Sequence, residues 1–502
     1  MLIVNSKKTA GAIALIVILA ASFPTLTLGL QNSNDITFTG IIVNYPENTI
    51  IINPNNIIGV NQLHLGCQLD WDRWKTFVDR PIQKQLAQEA GFSLIRIFDF
   101  RKTSQYGIPN LMPCTNWNEQ TKTGTWDWTY VDMLTQNIFS IDAEPLFCLG
   151  WAYNSGQVDD FIPSGMAINT NTGLPYPESY AAYAKEWVKH FKQTGLPVRF
   201  YQIMNEPYFY FGWNGADNTK LSNYVELWNA AALSMRQENP NIFLSNDAIT
   251  QRKVLDYWLI HGEPVDFVDF HKYDSDTIGQ YTDAEMLNRA ENAYFETSSS
   301  VYGVDDAKQK MFNTWGKNVL AINSESNFNS AWSTGTDPKI QQMIGAVWLS
   351  LVLKTGMLKG LNYNVYFEFT SSKSYSSANG DGWGFGMINK DDNQPWYPYY
   401  VHKLLGSHLS VGDNIIQTQT SSTEIACVAW KHESSLNIFL ISKVNQPRTI
   451  TLQGINGEAT IYWIDNETPA ETPSIQNRGV SNINSFTTNG YTVALLEMPF
   501  NP

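Results

Sequence analysis

The sequence predicts an α/β fold, a (β/α)8 TIM barrel with a C-terminal β-sandwich, and three observations carry that expectation. Between about residues 34 and 409, eight apolar strand-like segments alternate with helical patterns, the rhythm of a parallel barrel. No glycine-rich turn follows the first of them, which argues against an open nucleotide-binding sheet. After about Leu409 the helical patterns stop, and short alternating runs separated by turn residues take over.

The strand candidates, in order, are Ile58–Leu65, Ser93–Phe98, Glu144–Leu149, Val198–Met204, Ile242–Asn246, Val265–His271, Val319–Asn323 and Leu361–Phe369. Each is a short apolar run of the kind buried on both faces in a parallel sheet. Helical spacing of apolar residues marks Pro81–Ala90, Tyr130–Phe139, Ser179–Thr194, Lys220–Gln237 and Lys339–Lys354. Residues 410–502 hold Ile425–Trp430, Ser435–Ser442, Thr449–Leu452, Thr460–Ile464 and Tyr491–Glu497, read as an accessory β-sandwich that braces the barrel.

Residues 1–30 read as a signal peptide or an N-terminal membrane anchor. Lys7 and Lys8 precede an uncharged run from Thr9 to Leu30, densest in apolar residues at Ala12–Ala21. Pro24 and its polar neighbours favour the signal. Both readings put the rest of the chain outside the cytoplasm, secreted or held at the outer face of the membrane. The net charge of −14 disfavours nucleic acid as a partner, because phosphate backbones require a basic face. Charged residues make up only 16%, against about a quarter in typical domains, so the surface is largely uncharged.

The four cysteines, Cys67, Cys114, Cys148 and Cys427, lack CxxC spacing, and no HExxH occurs, so neither a metal nor a cofactor is expected. A Cys67–Cys114 disulfide is left open by the sequence.

Reactive groups of a barrel enzyme stand at the C-terminal ends of its strands. Two carboxylates do so here. Glu206 ends the fourth strand, in Tyr201-Gln202-Ile203-Met204-Asn205-Glu206-Pro207, and Glu325 ends the seventh, in Ala321-Ile322-Asn323-Ser324-Glu325. Two carboxyl groups facing one sugar are the requirement of glycoside hydrolysis. A third strand-end carboxylate, Glu368, is read either as a hydroxyl contact or as one half of an ion pair.

Asn205-Glu206-Pro207 after an apolar strand, with a second glutamate ending strand seven, resembles the signature of glycoside hydrolase clan A, the retaining (β/α)8-barrel glycosidases. That resemblance implies Glu206 as acid/base, Glu325 as nucleophile and Asn205 as the partner of the sugar 2-hydroxyl. It also matches Arg96 at the end of strand two and His271-Lys272-Tyr273 at strand six. Glu325-Ser326-Asn327-Phe328-Asn329-Ser330 is similar to the nucleophile region of family 39 β-xylosidases. Arg96 and Tyr273 would then hold Glu325, while His271, His64, Trp151 and Trp383 would contact substrate, the tryptophans by stacking on sugar faces. Further aromatic residues, Trp71, Trp74, Tyr153, Trp213 and Trp332, are expected in the same loops. The expected activity is cleavage of β-linked polysaccharide or oligosaccharide of glucan or xylan type. A transglycosidase and an inactive extracellular carbohydrate-binding protein are the alternatives.

Overall fold

The computed structural model describes residues 46–500 except 70–72, 99, 103–108, 152–154, 332–335, 373–383, 470–473 and 481. The signal or anchor assigned to residues 1–30 therefore lies outside the described residues. The chain divides into residues 1–47 and 48–502, and the barrel and the C-terminal sheet both belong to the second unit.

Eight parallel strands form the barrel: His64–Gln68, Phe92–Ile97, Glu144–Cys148, Phe200–Gln202, Phe243–Ser245, Phe267–Tyr273, Leu320–Asn327 and Tyr363–Tyr366. They are called barrel strands one to eight. Except for strands five and six, each pairs with its neighbours in sequence, and strand eight pairs with strand one, His64 opposite Tyr363. The remaining seam, between strands five and six, is bridged by the Asp266 amide on the Leu244 carbonyl (2.8 Å) and by the Ser245 hydroxyl on the Phe267 carbonyl (2.6 Å). Helices lie between the strands, among them Pro177–Thr194, Asn218–Glu238 and the almost wholly buried Met343–Leu358.

The interior is layered by the two-residue period of the strands. Leu94, Leu146, Phe200, Phe267, Ile322, Tyr363 and Val365 make one apolar layer. Two residues further along the same strands stand Arg96, Cys148, Gln202, Asp269 and Ser324. A dry floor thus carries a mostly polar layer facing the C-terminal mouth.

The first strand departs from expectation. Residues Thr49–Val60 do not enter the barrel; they pair antiparallel with Asn414–Thr420 and parallel with Pro447–Gln453 in the C-terminal sheet. The cause is Asn61, whose side-chain oxygen accepts the amide of Leu63 (3.0 Å) and turns the chain between two strands. The predicted run Ile58–Leu65 straddles that turn.

The C-terminal region is one hydrogen-bonded sheet of nine strands that includes Thr49–Val60. Ile50, Ile450 and Phe486 share a core with Ile438, Ile461 and Leu496, so the sheet folds over on itself. Its alternate positions face the other way: Ala426, Val428, Trp430, Phe439, Ile441 and Leu495 join the core of the barrel. The Trp430 indole donates to the carbonyl of His408, 2.6 Å away. Among the described residues, no helix is long and apolar enough to cross a membrane. Cys67, Cys114, Cys148 and Cys427 are all free and buried, which closes the question of a Cys67–Cys114 bond.

Candidate active site

Glu325 reaches the barrel axis through an irregularity in strand seven. Its register against strand six slips between Asn323 and Glu325. A bulge of this kind re-aims a side chain, and here it lets the consecutive residues Ser324 and Glu325 both point inward. Ser324 receives the Gln202 amide at 2.9 Å, and Glu325 meets Arg96.

Arg96 organises the floor of the site. From a fully buried position its Nη1 donates to Glu325 Oε2 and to Gln68 Oε1, both at 2.6 Å. Its Nε donates to Gln202 Oε1 (2.6 Å) and its Nη2 to Asn205 Oδ1 (2.5 Å). The other oxygen of Glu325 accepts the Tyr273 hydroxyl at 2.5 Å. Burial, then the charge of Glu325, raises the Tyr273 phenol far above its ordinary range, so it stays a donor.

Glu206 sits in a tight turn. It has φ +47°, and Met204 just before it has φ +65°, left-handed conformations that are costly for side chains larger than glycine. The turn is fastened by Asp247, whose Oδ2 accepts the Glu206 amide at 2.9 Å. The Glu206 carboxylate accepts the Tyr208 hydroxyl at 2.6 Å and lies 3.1 Å from His271 Nδ1. Burial raises the pKa of Glu206; His271 opposes the rise, and the charges of Glu325 and Asp247 add to it.

His271 stands among three carboxylates: Glu206 at 3.1 Å, Asp247 at 3.0 Å and Glu325 at 3.9 Å. Burial alone would lower its pKa, but the charges of Glu325 and Asp247 outweigh it, so the ring is held well above its ordinary value. One layer down, burial and the charge of Asp247 push Asp269 up to about 7.

The structure therefore gathers Glu206, Glu325, Asn205, Arg96, His271 and Tyr273 at one end of the barrel. It does not bring His64 there. His64 begins strand one, at the opposite mouth, stacked on Tyr363 with centroids 4.6 Å apart. Gln68, four residues on, holds the position intended for it, a distance of about 13 Å along a strand. Trp151 pairs with Asn205 as expected of a strand-end residue, yet it is only 7% exposed and packs edge-on against Phe98 and Phe161. That is a core environment, not an open stacking face. Trp383 lies outside the described residues, as do Trp71, Tyr153 and Trp332. Trp74 is buried in the core, while Trp213 is exposed. Glu368 is buried beside Arg73, with Nε to Oε2 at 3.8 Å, an ion-pair arrangement.

Gln68, Gln202, Tyr208 and Asp247 belong to the site and were not singled out from the sequence. The two-residue period from Phe200 to Gln202 pointed to the second; Asp247 lies one residue past the expected fifth strand.

Ligand atoms of Glu206, His271 and Glu325 lie within 4.8 Å of one another, a spacing that could hold a cation. The Arg96 guanidinium already occupies Glu325 Oε2, however, and a second cation there would be repelled by it.

No known family profile and no curated protein matches this sequence. Solved structures do match its fold. A family 39 β-xylosidase from Caulobacter crescentus aligns over 90% of this chain and 99% of its own, with TM-score 0.60 and 14% identity. An α-L-arabinofuranosidase from Thermotoga maritima aligns over 90% and 100%, with TM-score 0.62 and 13% identity. A family 30 endoxylanase from Clostridium papyrosolvens C71 aligns over 90% and 100%, with TM-score 0.55 and 14% identity. In fold, then, the chain is a TIM barrel with an added β-sheet domain, the architecture it shares with these glycosidases.

Proposed function

We propose that this protein is a retaining glycoside hydrolase acting on β-linked polysaccharide or oligosaccharide of glucan or xylan type, outside the cytoplasm. One observation carries the mechanism: a carboxylate oxygen of Glu206 lies within 4.8 Å of one of Glu325. Retaining enzymes hold their two carboxyl groups about 5–5.5 Å apart, and inverting enzymes about 6.5–9.5 Å.

In the first step Glu325 attacks the anomeric carbon, and the bond from that carbon to the leaving oxygen breaks. Glu206 gives its proton to that oxygen. Arg96 and Tyr273 hold the two oxygens of Glu325 in place for attack. Esterification removes the charge of Glu325, and with it one influence that raises Glu206. In the second step Glu206 takes a proton from water, the water oxygen bonds to the anomeric carbon, and the ester to Glu325 breaks. Asn205 spends its carbonyl oxygen on Arg96, which leaves its NH2 for the sugar 2-hydroxyl.

The test is reducing-sugar release by residues 31–502 from β-glucans, xylans, mannans and aryl β-glycosides. Glu325→Gln should abolish it. Glu206→Ala should retain turnover of an activated aryl glycoside and be accelerated by azide, giving the β-glycosyl azide. An α-azide product would mean inversion, and no turnover of any substrate would return the weight to a carbohydrate-binding protein.

A further inference from the structure

A pocket walled in part by Tyr208 and His271, the partners of Glu206, offers more than the two carboxylates require. It encloses about 380 Å3, within the ~300–1,000 Å3 of small-ligand sites. Tyr208, His271 and Tyr273, which hold the two carboxylates, form one part of its wall, and Trp213, Tyr281 and Arg289 another.

Trp213 is 47% exposed, and its neighbour on the rim, Phe209, is 46% exposed. Exposing a large indole has a solvation cost, and this one is held in place. Asn214 beside it accepts the Lys253 amide (2.9 Å), and its own amide donates to Gln251 (2.7 Å). Gly212 before it has φ +81°, and a Cβ there would come within 3.1 Å of that of Ala216. The Trp213 ring meets Tyr208 edge to face at 5.5 Å, and Tyr208 donates to Glu206. The platform is therefore one ring away from the proton donor.

Arg289 lies over the ring of Tyr281, 4.6 Å from its centroid, and its Nε donates to the Asp274 carbonyl at 2.8 Å. Its two Nη groups make no hydrogen bond among the described residues, so they remain donors at the pocket wall. The wall also carries Asp247, Asp274 and Asp276 against His271 and Arg289, so no net positive charge selects an acidic ligand. Aromatic faces with a mixed set of donors and acceptors suit a neutral polyol.

Building on the retaining reading, we propose that this pocket seats a neutral sugar ring as the leaving group. An acid protonates the oxygen that departs, so whatever that oxygen carries lies on the side of Glu206. The substrate is then an oligosaccharide cut between two sugar units, not a glycoside of a small alcohol. Trp213 is a positioning residue for that second ring.

The test compares a disaccharide, xylobiose or cellobiose according to the glycone that the substrate panel selects, with the matching glycosyl fluoride, whose one-atom leaving group fills none of the pocket. Trp213→Ala should lower kcat/KM on the disaccharide about 3- to 10-fold, the scale of one stacking contact, and leave the fluoride within twofold. Trp213→Tyr should restore most of the loss. Equal losses on both substrates, or no loss on the disaccharide, would overturn the proposal while leaving the glycosidase reading intact. Failure of the unsubstituted protein to turn over either fluoride would overturn both.

Discussion

Arg96 Nη1 stands 2.6 Å from Glu325 Oε2, and neither group can be removed without stranding the other, because the guanidinium is wholly buried. Breaking a buried ion pair from one side typically costs about 3–5 kcal/mol. Arg96→Met also leaves Gln68, Gln202 and Asn205 without their donor. We expect a loss of stability of that order, read by urea unfolding, together with loss of activity. The double variant Arg96→Met/Glu325→Gln should recover part of the stability and none of the activity. A double variant no more stable than Arg96→Met would argue that packing, not charge, dominates.

The pH dependence should follow Glu206. Its pKa is raised by burial and by the charges of Glu325 and Asp247, against the opposing effect of His271. The acid form that the proposed first step requires therefore persists above the ordinary glutamate range of about 4.3. The alkaline limb of kcat/KM should lie above that range, and Glu206→Ala, assayed on an activated aryl glycoside, should lack it. An alkaline limb that survives Glu206→Ala would assign the titration elsewhere.

Asp247 holds the Glu206 amide and faces His271. Asp247→Ala should release the left-handed turn at Glu206 and reduce kcat about 10- to 100-fold, since misplacement of a reactive group by 1 Å costs that much. Asp247→Asn retains an acceptor for the amide and should lose less. Equal losses in the two variants would show that the charge on Asp247 matters, not its grip on the turn.

His402 should make the fold acid-sensitive. It is buried between Phe92 and Tyr366, and neither ring nitrogen has a hydrogen-bond partner among the described residues. Burial lowers its pKa to about 3 in the folded chain, from 6.5. Between those values the unfolded chain binds the proton and the folded chain does not, so stability falls as pH drops below about 6.5. The loss is on the order of 2 kcal/mol between pH 7 and pH 5. His402→Phe should flatten that slope in urea titrations at the two pH values; an unchanged slope would refute the assignment.

The C-terminal sheet should be inseparable from the barrel. Trp430 and its neighbours on one face complete the barrel core. Trp430→Ala should cost about 3–5 kcal/mol, and a chain ending at residue 408 should be insoluble. A soluble truncated barrel melting at the same temperature as the full chain would contradict this.

Much of the site was legible because charge is rare at the end of an apolar strand. Glu206, Glu325 and Arg96 each interrupt such a run, and all three meet in the structure. His64 misled for a related reason: without the turn at Asn61, the first strand reads as ending where it in fact begins. Tyr208 and Asp247 lay outside the strand ends, and their partners are set by a turn with two left-handed residues, which no periodicity announces.

The placement of Thr49–Val60 bears on how the chain is made. Ile50 pairs with Thr420, so this strand leaves the ribosome well before its partner, which follows only after some 370 further residues. At about 5–20 residues per second, that is a wait of roughly 20–70 s with an apolar strand edge uncovered. Pro54 in its middle, flanked by exposed Asn53, Asn55 and Asn56, lacks the amide that a foreign strand would bind. The stretch where the pairing with Asn414–Thr420 slips, between Asn53 and Ile57, thus guards the strand while the rest is still being synthesised.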